Sequence, residues 1–285
     1  MADVRIIPRD RVDRLGEGPI WVPDQNALFW VDVTGKRLNR LALADDAVTG
    51  WDMPEMIGWV IERRQRPGFI AGLQGGIAEL RLDPLRITPL VAPEPTLPLN
   101  RLNDAKADAR GRIFAGTMPI ACDTPTGSLY RFDPDGSLTL VDSDYTVTNG
   151  PAISPDGAWL FHTDSVPQRI YRFEILADGS LGERQLFRQF GRGEGHPDGM
   201  TFDSDGGLWV ACWGAGCIVR LTPDGEIDTR IAVPASQASS VAFAGAGLDR
   251  MFVTSSADGF DEEHGGALFE VATGRTGFVP LRFAG

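Results

Sequence analysis

The chain has 285 residues, and its 34 glycines and 20 prolines are spread along its length, as in a globular protein with many turns. Its 27 basic and 39 acidic residues give a net charge of −12, without a cluster of Lys or Arg. Such a surface lacks phosphate-neutralising charge, which excludes nucleic acid and anionic membranes as expected partners. Three cysteines are too few for a disulfide framework.

The N-terminal residues lack the apolar stretch of a secretory signal. Nowhere does an apolar run approach the ~18 residues that a transmembrane helix requires. We therefore expect a cytoplasmic protein with one domain over residues 1–285, present as a monomer or a weak homo-oligomer.

Short alternating or apolar runs, bounded by Asp-Gly, Pro-Asp and Gly-rich turns, recur along the whole chain and predict β-strands. The second strand of each unit is the clearest, with copies predicted at 27–32, 68–72, 112–117, 159–164, 208–212 and 250–254. A third strand follows each of them, at 37–41, 76–80, 128–132, 169–173, 217–221 and 267–271. Six copies of one pattern indicate an all-β repeat protein.

A polar position recurs in the same register before the first strand of several units. Glu17, Asn149 and Asp198 each stand seven residues before an aspartate of a turn. The other repeat positions, 39–49 residues apart along the chain, are Met56, Asn103 and about Ser239. Propeller blades recur at about 40–50 residues, and propellers commonly have 4–8 blades. The sequence therefore predicts a six-bladed β-propeller with four-stranded antiparallel blades around a central channel.

The two ends of the chain are expected to meet in the last blade. The spare run at residues 4–7 would supply one strand, and residues 277–283 would form the outer part of the same blade. This closure would cover an otherwise open sheet edge.

The repeat positions precede the strands that line the channel, so their side chains should ring one mouth of it. Glu17, Asn103, Asn149 and Asp198 offer two carboxylates and two amide oxygens, which suit Ca²⁺, Mg²⁺ or Mn²⁺, or Zn²⁺ or Fe²⁺ at low coordination number. Asn-Gly and Asp-Gly pairs also mark ordinary turns, and that alternative stays open here. His196 lies two residues from Asp198, but we favour a plain loop histidine.

The most specific motifs are Leu15-Gly-Glu-Gly-Pro-Ile-Trp21, Asn100-Arg-Leu-Asn-Asp-Ala-Lys-Ala-Asp108, Thr148-Asn-Gly-Pro151 and His196-Pro-Asp-Gly-Met200. With them the chain resembles, over nearly its whole length, the SMP-30/gluconolactonase family, also called regucalcin-like. This resemblance implies a six-bladed propeller that hydrolyses sugar lactones with a divalent metal in the channel mouth. By the same resemblance, Glu17, Asn149 and Asp198 would bind the metal, Arg101 and Asn103 would bind the substrate, and Asp198 would be the general base.

The implied reaction converts a sugar lactone, such as a glucono-, xylono- or arabinonolactone, to the aldonic acid in a sugar-oxidation pathway. One divalent ion would be required, which could be Ca, Zn, Mn, Mg or Fe(II). Asp198 would deprotonate the attacking water and return the proton to the leaving ring oxygen, with a metal-bound hydroxide as the competing nucleophile. Two alternatives are a calcium-binding propeller without turnover and a hydrolase of phosphotriesters or other esters.

One departure from the family concerns the segment after Gly116-Thr-Met118. Animal members carry acidic residues there that contact the substrate, whereas residues 119–125 of this chain contain a single acidic residue, Asp123. The substrate preference of those members therefore does not carry over to this chain.

Overall fold

The computed structural model describes residues 3–259 and 261–285, whose strands form six separate four-stranded antiparallel sheets. The predicted six-bladed β-propeller is confirmed. The only helical segment named in these residues is the short 3₁₀ turn Pro23–Gln25. Across the same residues, no helix has the length and apolar character needed to cross a membrane.

Each of the first three blades runs from the channel outwards in chain order. Blade one contains β2 (Gly16–Val22), β3 (Ala27–Asp32), β4 (Arg37–Ala42) and β5 (Val48–Asp52). Blade two contains β6 (Ile57–Glu62), β7 (Phe69–Leu73), β8 (Ile77–Leu82) and β9 (Leu85–Val91). Blade three contains β10 (Asn100–Ala107), β11 (Ile113–Pro119), β12 (Gly127–Phe132) and β13 (Leu138–Tyr145).

The next two blades repeat this order, and the last one takes its outer strand from the start of the chain. Blade four contains β14 (Thr148–Ile153), β15 (Trp159–Asp164), β16 (Arg169–Glu174) and β17 (Gln185–Gln189). Blade five contains β18 (His196–Phe202), β19 (Leu208–Trp213), β20 (Cys217–Leu221) and β21 (Ile227–Ala232). Blade six contains β22 (Ala238–Ala244), β23 (Arg250–Ser255), β24 (Phe269–Val271) and β1 (Val4–Ile6).

The hydrophobic core lies between neighbouring blades, because each blade packs its faces against the next. Phe29 of blade one contacts Phe69 of blade two, with ring centroids 5.1 Å apart. Phe161 of blade four packs in the same way on Phe202 of blade five, at 5.2 Å. The two inner strands of each blade are therefore largely buried, whereas most residues of the outermost strands are half-buried or exposed. This packing fixes the inner strands around the channel.

The two ends of the chain pack against different blades. β1 pairs antiparallel with β24, so the predicted closure by the N-terminal run is confirmed. The prediction that residues 277–283 form the outer part of blade six is wrong, because β1 already occupies that position. The C-terminal segment instead leaves blade six and crosses the lower end of the channel, where Phe278, Val279 and Leu281 line a cavity. It ends against blades two and three, where Phe283 N donates to Glu62 O and Ala284 N to Gly111 O.

A shared irregularity of the inner strands places side chains at the channel mouth. All six break register with their neighbour near the repeat position, between Glu17 and Ile20, Ile57 and Trp59, Leu102 and Ala105, Asn149 and Ala152, Pro197 and Met200, and Ala238 and Ser240. Bulges of this kind redirect a side chain from the face of a sheet. The backbones also approach closely here: a Cβ on Gly199 would lie 2.0 Å from Ser240 Oγ.

Candidate active site

A cavity of about 270 Å³ opens at the channel mouth formed by the beginnings of the inner strands. Its floor consists of five buried polar side chains, each only 4–7 % exposed: Glu17, Arg101, Asn103, Asn149 and Asp198. We call these residues the polar floor. They come from β2, β10, β14 and β18, and they include four of the six repeat positions. The structure thus brings together all the site residues that the sequence predicts.

The other two repeat positions do not line this cavity. Met56 lies one residue before β6 and packs against the apolar core between blades one and two. Ser239 is fully buried, and its hydroxyl donates to Gly16 O across the junction of blades six and one. In blades two and six the repeat position therefore makes packing contacts between blades. The polar side chains of the cavity come from the other four blades.

Two carboxylates, Glu17 and Asp198, lie within hydrogen-bonding reach of each other on the polar floor. Burial and the nearby Asp104 raise the pKa of Glu17 to about 8. Burial and the neighbouring Glu17 likewise raise the pKa of Asp198 well above its ordinary value. Asp198 Oδ1 is buried and has no hydrogen-bond partner. Two adjacent buried carboxylates are costly to ionise together unless a proton or a cation compensates their charge.

The amide and guanidinium groups of the floor form a connected chain. Arg101 Nη1 donates to Asn103 Oδ1, and Asn103 Nδ2 donates to Asn149 Oδ1 at 2.7 Å and to Thr148 O at 2.5 Å. Asn149 Nδ2 in turn donates to Ser165 Oγ at 3.0 Å. These hydrogen bonds fix the orientation of the Asn149 amide, and they leave Arg101 Nε and Nη2 without a protein acceptor among the described residues.

Ser165, which follows β15, and residues at the start of β18 form a second layer of contacts around the polar floor. Ser165 Oγ donates to Pro197 O at 2.7 Å, one residue before Asp198. His196 Nδ1 lies 2.8 Å from Ser165 O and donates to it, because a carbonyl oxygen can only accept. The interpretation of His196 as a plain loop histidine is wrong, since its side chain lines the cavity. Its proximity to Asp198 along the chain was the only available signal.

The outer wall of the cavity is mostly apolar. Leu15, Val147, Val166 and Trp213 surround the opening and are half-buried or exposed; we call them the apolar rim. Met118 lies below the rim in the wall and is buried. Cys122, with a positive φ of 56°, also faces the opening, whereas Asp123 is exposed and is not part of the lining. These residues lie in connecting loops or at strand ends, where no periodic pattern marks them.

The floor fits a divalent cation. The two carboxylates with raised pKa values, the unpartnered Asp198 Oδ1 and the oriented Asn149 Oδ1 form a set of hard oxygen donors. Among the described residues, no three His, Cys, Asp or Glu side chains are grouped so that they could hold an ion. The third donor of this set would therefore be the amide of Asn149.

A larger cavity of about 350 Å³ occupies the other end of the channel. Its lining consists mostly of apolar later residues of the same inner strands, together with the charged residues Asp104, Lys106 and Asp156. Burial raises the pKa of Asp104 and lowers the pKa of Lys106, and each partly offsets the shift of the other. Among the described residues that line this cavity there is no pair of adjacent carboxylates like Glu17 and Asp198. The cavity that holds the polar floor is therefore the better candidate for catalysis.

Two known lactonases are similar to this chain in sequence. The chain is 36% identical to the 6-deoxy-6-sulfogluconolactonase of Pseudomonas putida, over 95% of each chain. It is also 36% identical to a pentonolactonase of Haloferax volcanii, over 93% of this chain and 94% of that protein.

The fold and family are equally well matched. A crystal structure described as a calcium-binding protein, regucalcin, from Agrobacterium tumefaciens superimposes with a TM-score of 0.94 at 26% identity, covering 99% of this chain and 97% of the other. The sequence profile of the SMP-30/gluconolactonase/LRE-like region matches residues 15–257, which include every residue of the polar floor. The chain therefore belongs to the SMP-30/gluconolactonase/LRE-like family.

Proposed function

We propose that this protein hydrolyses a sugar lactone to the corresponding aldonic acid with the help of one divalent metal ion. The observation that carries the proposal is the adjacent pair of buried carboxylates, Glu17 and Asp198, beside Arg101 in a cavity large enough for one small ring. The lactonase names of its relatives agree with it.

Glu17, Asn149 and Asp198 would hold the ion, which could be Ca, Zn, Mn, Mg or Fe(II). When bound there, a divalent cation polarises the lactone carbonyl and offsets the negative charge that develops on its oxygen. Asn103 would act mainly as a positioning residue, because both hydrogens of its Nδ2 are already donated to Asn149 Oδ1 and Thr148 O. It retains one lone pair on Oδ1 for a substrate hydroxyl.

Arg101 and Asp198 would contact the substrate directly. Arg101 Nε and Nη2 are free to donate to ring or hydroxyl oxygens, which would fix the orientation of the lactone. Asp198 would accept a proton from the attacking water as the new C–O bond forms. It would then return that proton to the ring oxygen as the ring C–O bond breaks.

The proposal is tested by measuring acid release from a panel of five- and six-carbon aldonolactones. The protein is assayed after chelation, and again after each metal has been added back. We expect hydrolysis that is lost on chelation and restored by at least one divalent ion. Saturable calcium binding without turnover of any lactone would point to a calcium-binding propeller instead. Turnover of phosphotriesters or simple esters in preference to lactones would also overturn the proposal.

A further inference from the structure

The outer half of the candidate active site offers very few hydrogen bonds. The apolar rim consists of Leu15, Val147, Val166 and Trp213, and only the indole N–H of Trp213 can donate. Of the polar atoms near the rim, Cys122 Sγ contacts Ile120 O and His196 Nδ1 donates to Ser165 O, which leaves His196 Nε2 as an acceptor beside the rim. A substrate group that reaches the rim therefore finds mostly hydrocarbon.

The charges of the site are confined to its floor. Glu17, Arg101 and Asp198 are at most 7 % exposed, and Arg101 is the only Lys or Arg among the described residues that line the cavity. A lactone must place its carbonyl near the carboxylate pair to react. The substituent on the ring carbon remote from that carbonyl is then directed towards the rim. The site thus separates a polar reacting end from an apolar remote end.

The size of the cavity supports the same separation. At about 270 Å³ it lies just below the usual range of ligand pockets, which is about 300–1,000 Å³. One monosaccharide-sized ring fills such a space, so a short remote substituent must lie against the rim. A remote hydroxyl that leaves water there loses hydrogen bonds that the rim does not replace.

We infer that the enzyme prefers a small deoxyaldonolactone, whose remote substituent ends in a methyl group, to a lactone whose remote substituent ends in a hydroxyl, carboxylate or sulfonate. This inference rests on the lactonase function proposed above. A closed apolar pocket rejects an isostere that adds one hydroxyl by about 100-fold at most. Because Val166 is 46 % exposed and the rim is partly open, we expect a preference of about tenfold in kcat/KM.

The test compares matched substrates on the metal-loaded enzyme. The best-hydrolysed aldono-1,4-lactone of the panel is paired with its terminal deoxy counterpart, which has the same ring and the same configuration at every remaining carbon. We expect the deoxy compound to be hydrolysed with the higher kcat/KM. Equal rates, a faster hydroxyl compound, or a faster analogue with a terminal sulfonate would overturn the inference while leaving the lactonase function intact. If no lactone is hydrolysed, both fail.

Two variants test whether the apolar rim itself, and not a general change in activity, sets the preference for the deoxy substrate. Val166→Thr places a hydroxyl on the rim with almost no change in volume, and it should reduce the deoxy preference to about threefold or less. Val279→Thr is the matched control, because Val279 is similarly exposed at 48 % but lies at the opposite end of the channel. An unchanged preference in Val166→Thr, or an equal loss in both variants, would show that the rim does not select the substrate.

Discussion

Replacing Glu17 with glutamine should make the metal-free protein more stable and at the same time weaken its stabilisation by metal. Glutamine keeps the size of the side chain but removes a carboxyl group that is 4 % exposed and close to Asp198 and Asp104. The pKa of Glu17 rises from the ordinary 4.5 to about 8. In the metal-free protein this carboxyl therefore has to take up a proton on folding at neutral pH.

The size of the effect follows from that difference in pKa. Since the folded-state pKa is raised, the contribution of Glu17 to stability is fully present below pH 4.5 and is lost as the pH rises through 8. The loss is roughly 3 kcal/mol at pH 7 and roughly 5 kcal/mol above pH 8. Glutamine does not titrate, so the Tm of the metal-free Glu17→Gln variant should be about 5–10 °C higher than that of the wild type at pH 7.

Metal should reverse this order of stability. At pH 7 an ion present at 1,000 times its apparent Kd stabilises the wild type by about 4.1 kcal/mol, which exceeds the penalty of roughly 3 kcal/mol, whereas the variant has lost a ligand and should gain much less. The assay is thermal and urea unfolding of both proteins from pH 5 to 9, with chelator and with each divalent ion. Glu226→Gln is the control, because this side chain is 83% exposed at the surface. A variant that is no more stable than the wild type in chelator at pH 8, and that metal stabilises as much as the wild type, would refute the reasoning.

Three further predictions concern the same site and its support. Apparent metal affinity should rise about 50-fold between pH 6 and pH 8, because the ion must displace the proton of Glu17, whose pKa is about 8; calorimetry that finds a flat profile would contradict this. Arg101→Lys should lower kcat/KM by about 10–100-fold, since lysine cannot reproduce the planar donor geometry, whereas the exposed Arg110→Lys should leave kinetics unchanged. Gly199→Ala should destabilise the fold by about 1–3 kcal/mol, measured by urea unfolding, because the new Cβ would lie 2.0 Å from Ser240 Oγ; wild-type stability would contradict that expectation.

The repeat made much of the fold predictable from the sequence. The predicted strands 27–32, 159–164 and 217–221 coincide with β3, β15 and β20, because apolar runs and turn residues recur at a regular spacing. The same regularity brought Glu17, Asn149 and Asp198 to one cavity, since equivalent positions in a closed ring must face the same channel mouth.

The parts that were missed depend on contacts outside the repeat. Residues 277–283 contain a strand-like apolar run, but β1 fills the outer position of blade six and the run crosses the channel instead. The lining residues Cys122 and Val166 lie in loops, whose direction is set by packing and not by periodicity. Nothing in the residue pattern distinguishes them from other loop residues.

The pairing of β1 with β24 joins residues that are more than 260 positions apart in the chain, such as Val4 and Val271. We expect a contact of such long range to form late in folding, because most of the chain must already be ordered to bring its two strands together. Arg5 also ties β1 to Glu270 and to Asp46 of blade one, but these exposed ion pairs add little stability. When β1 detaches in a local opening event, β24 presents a free strand edge to solvent. Blade six is therefore the place where partly opened molecules can pair with one another and begin to aggregate.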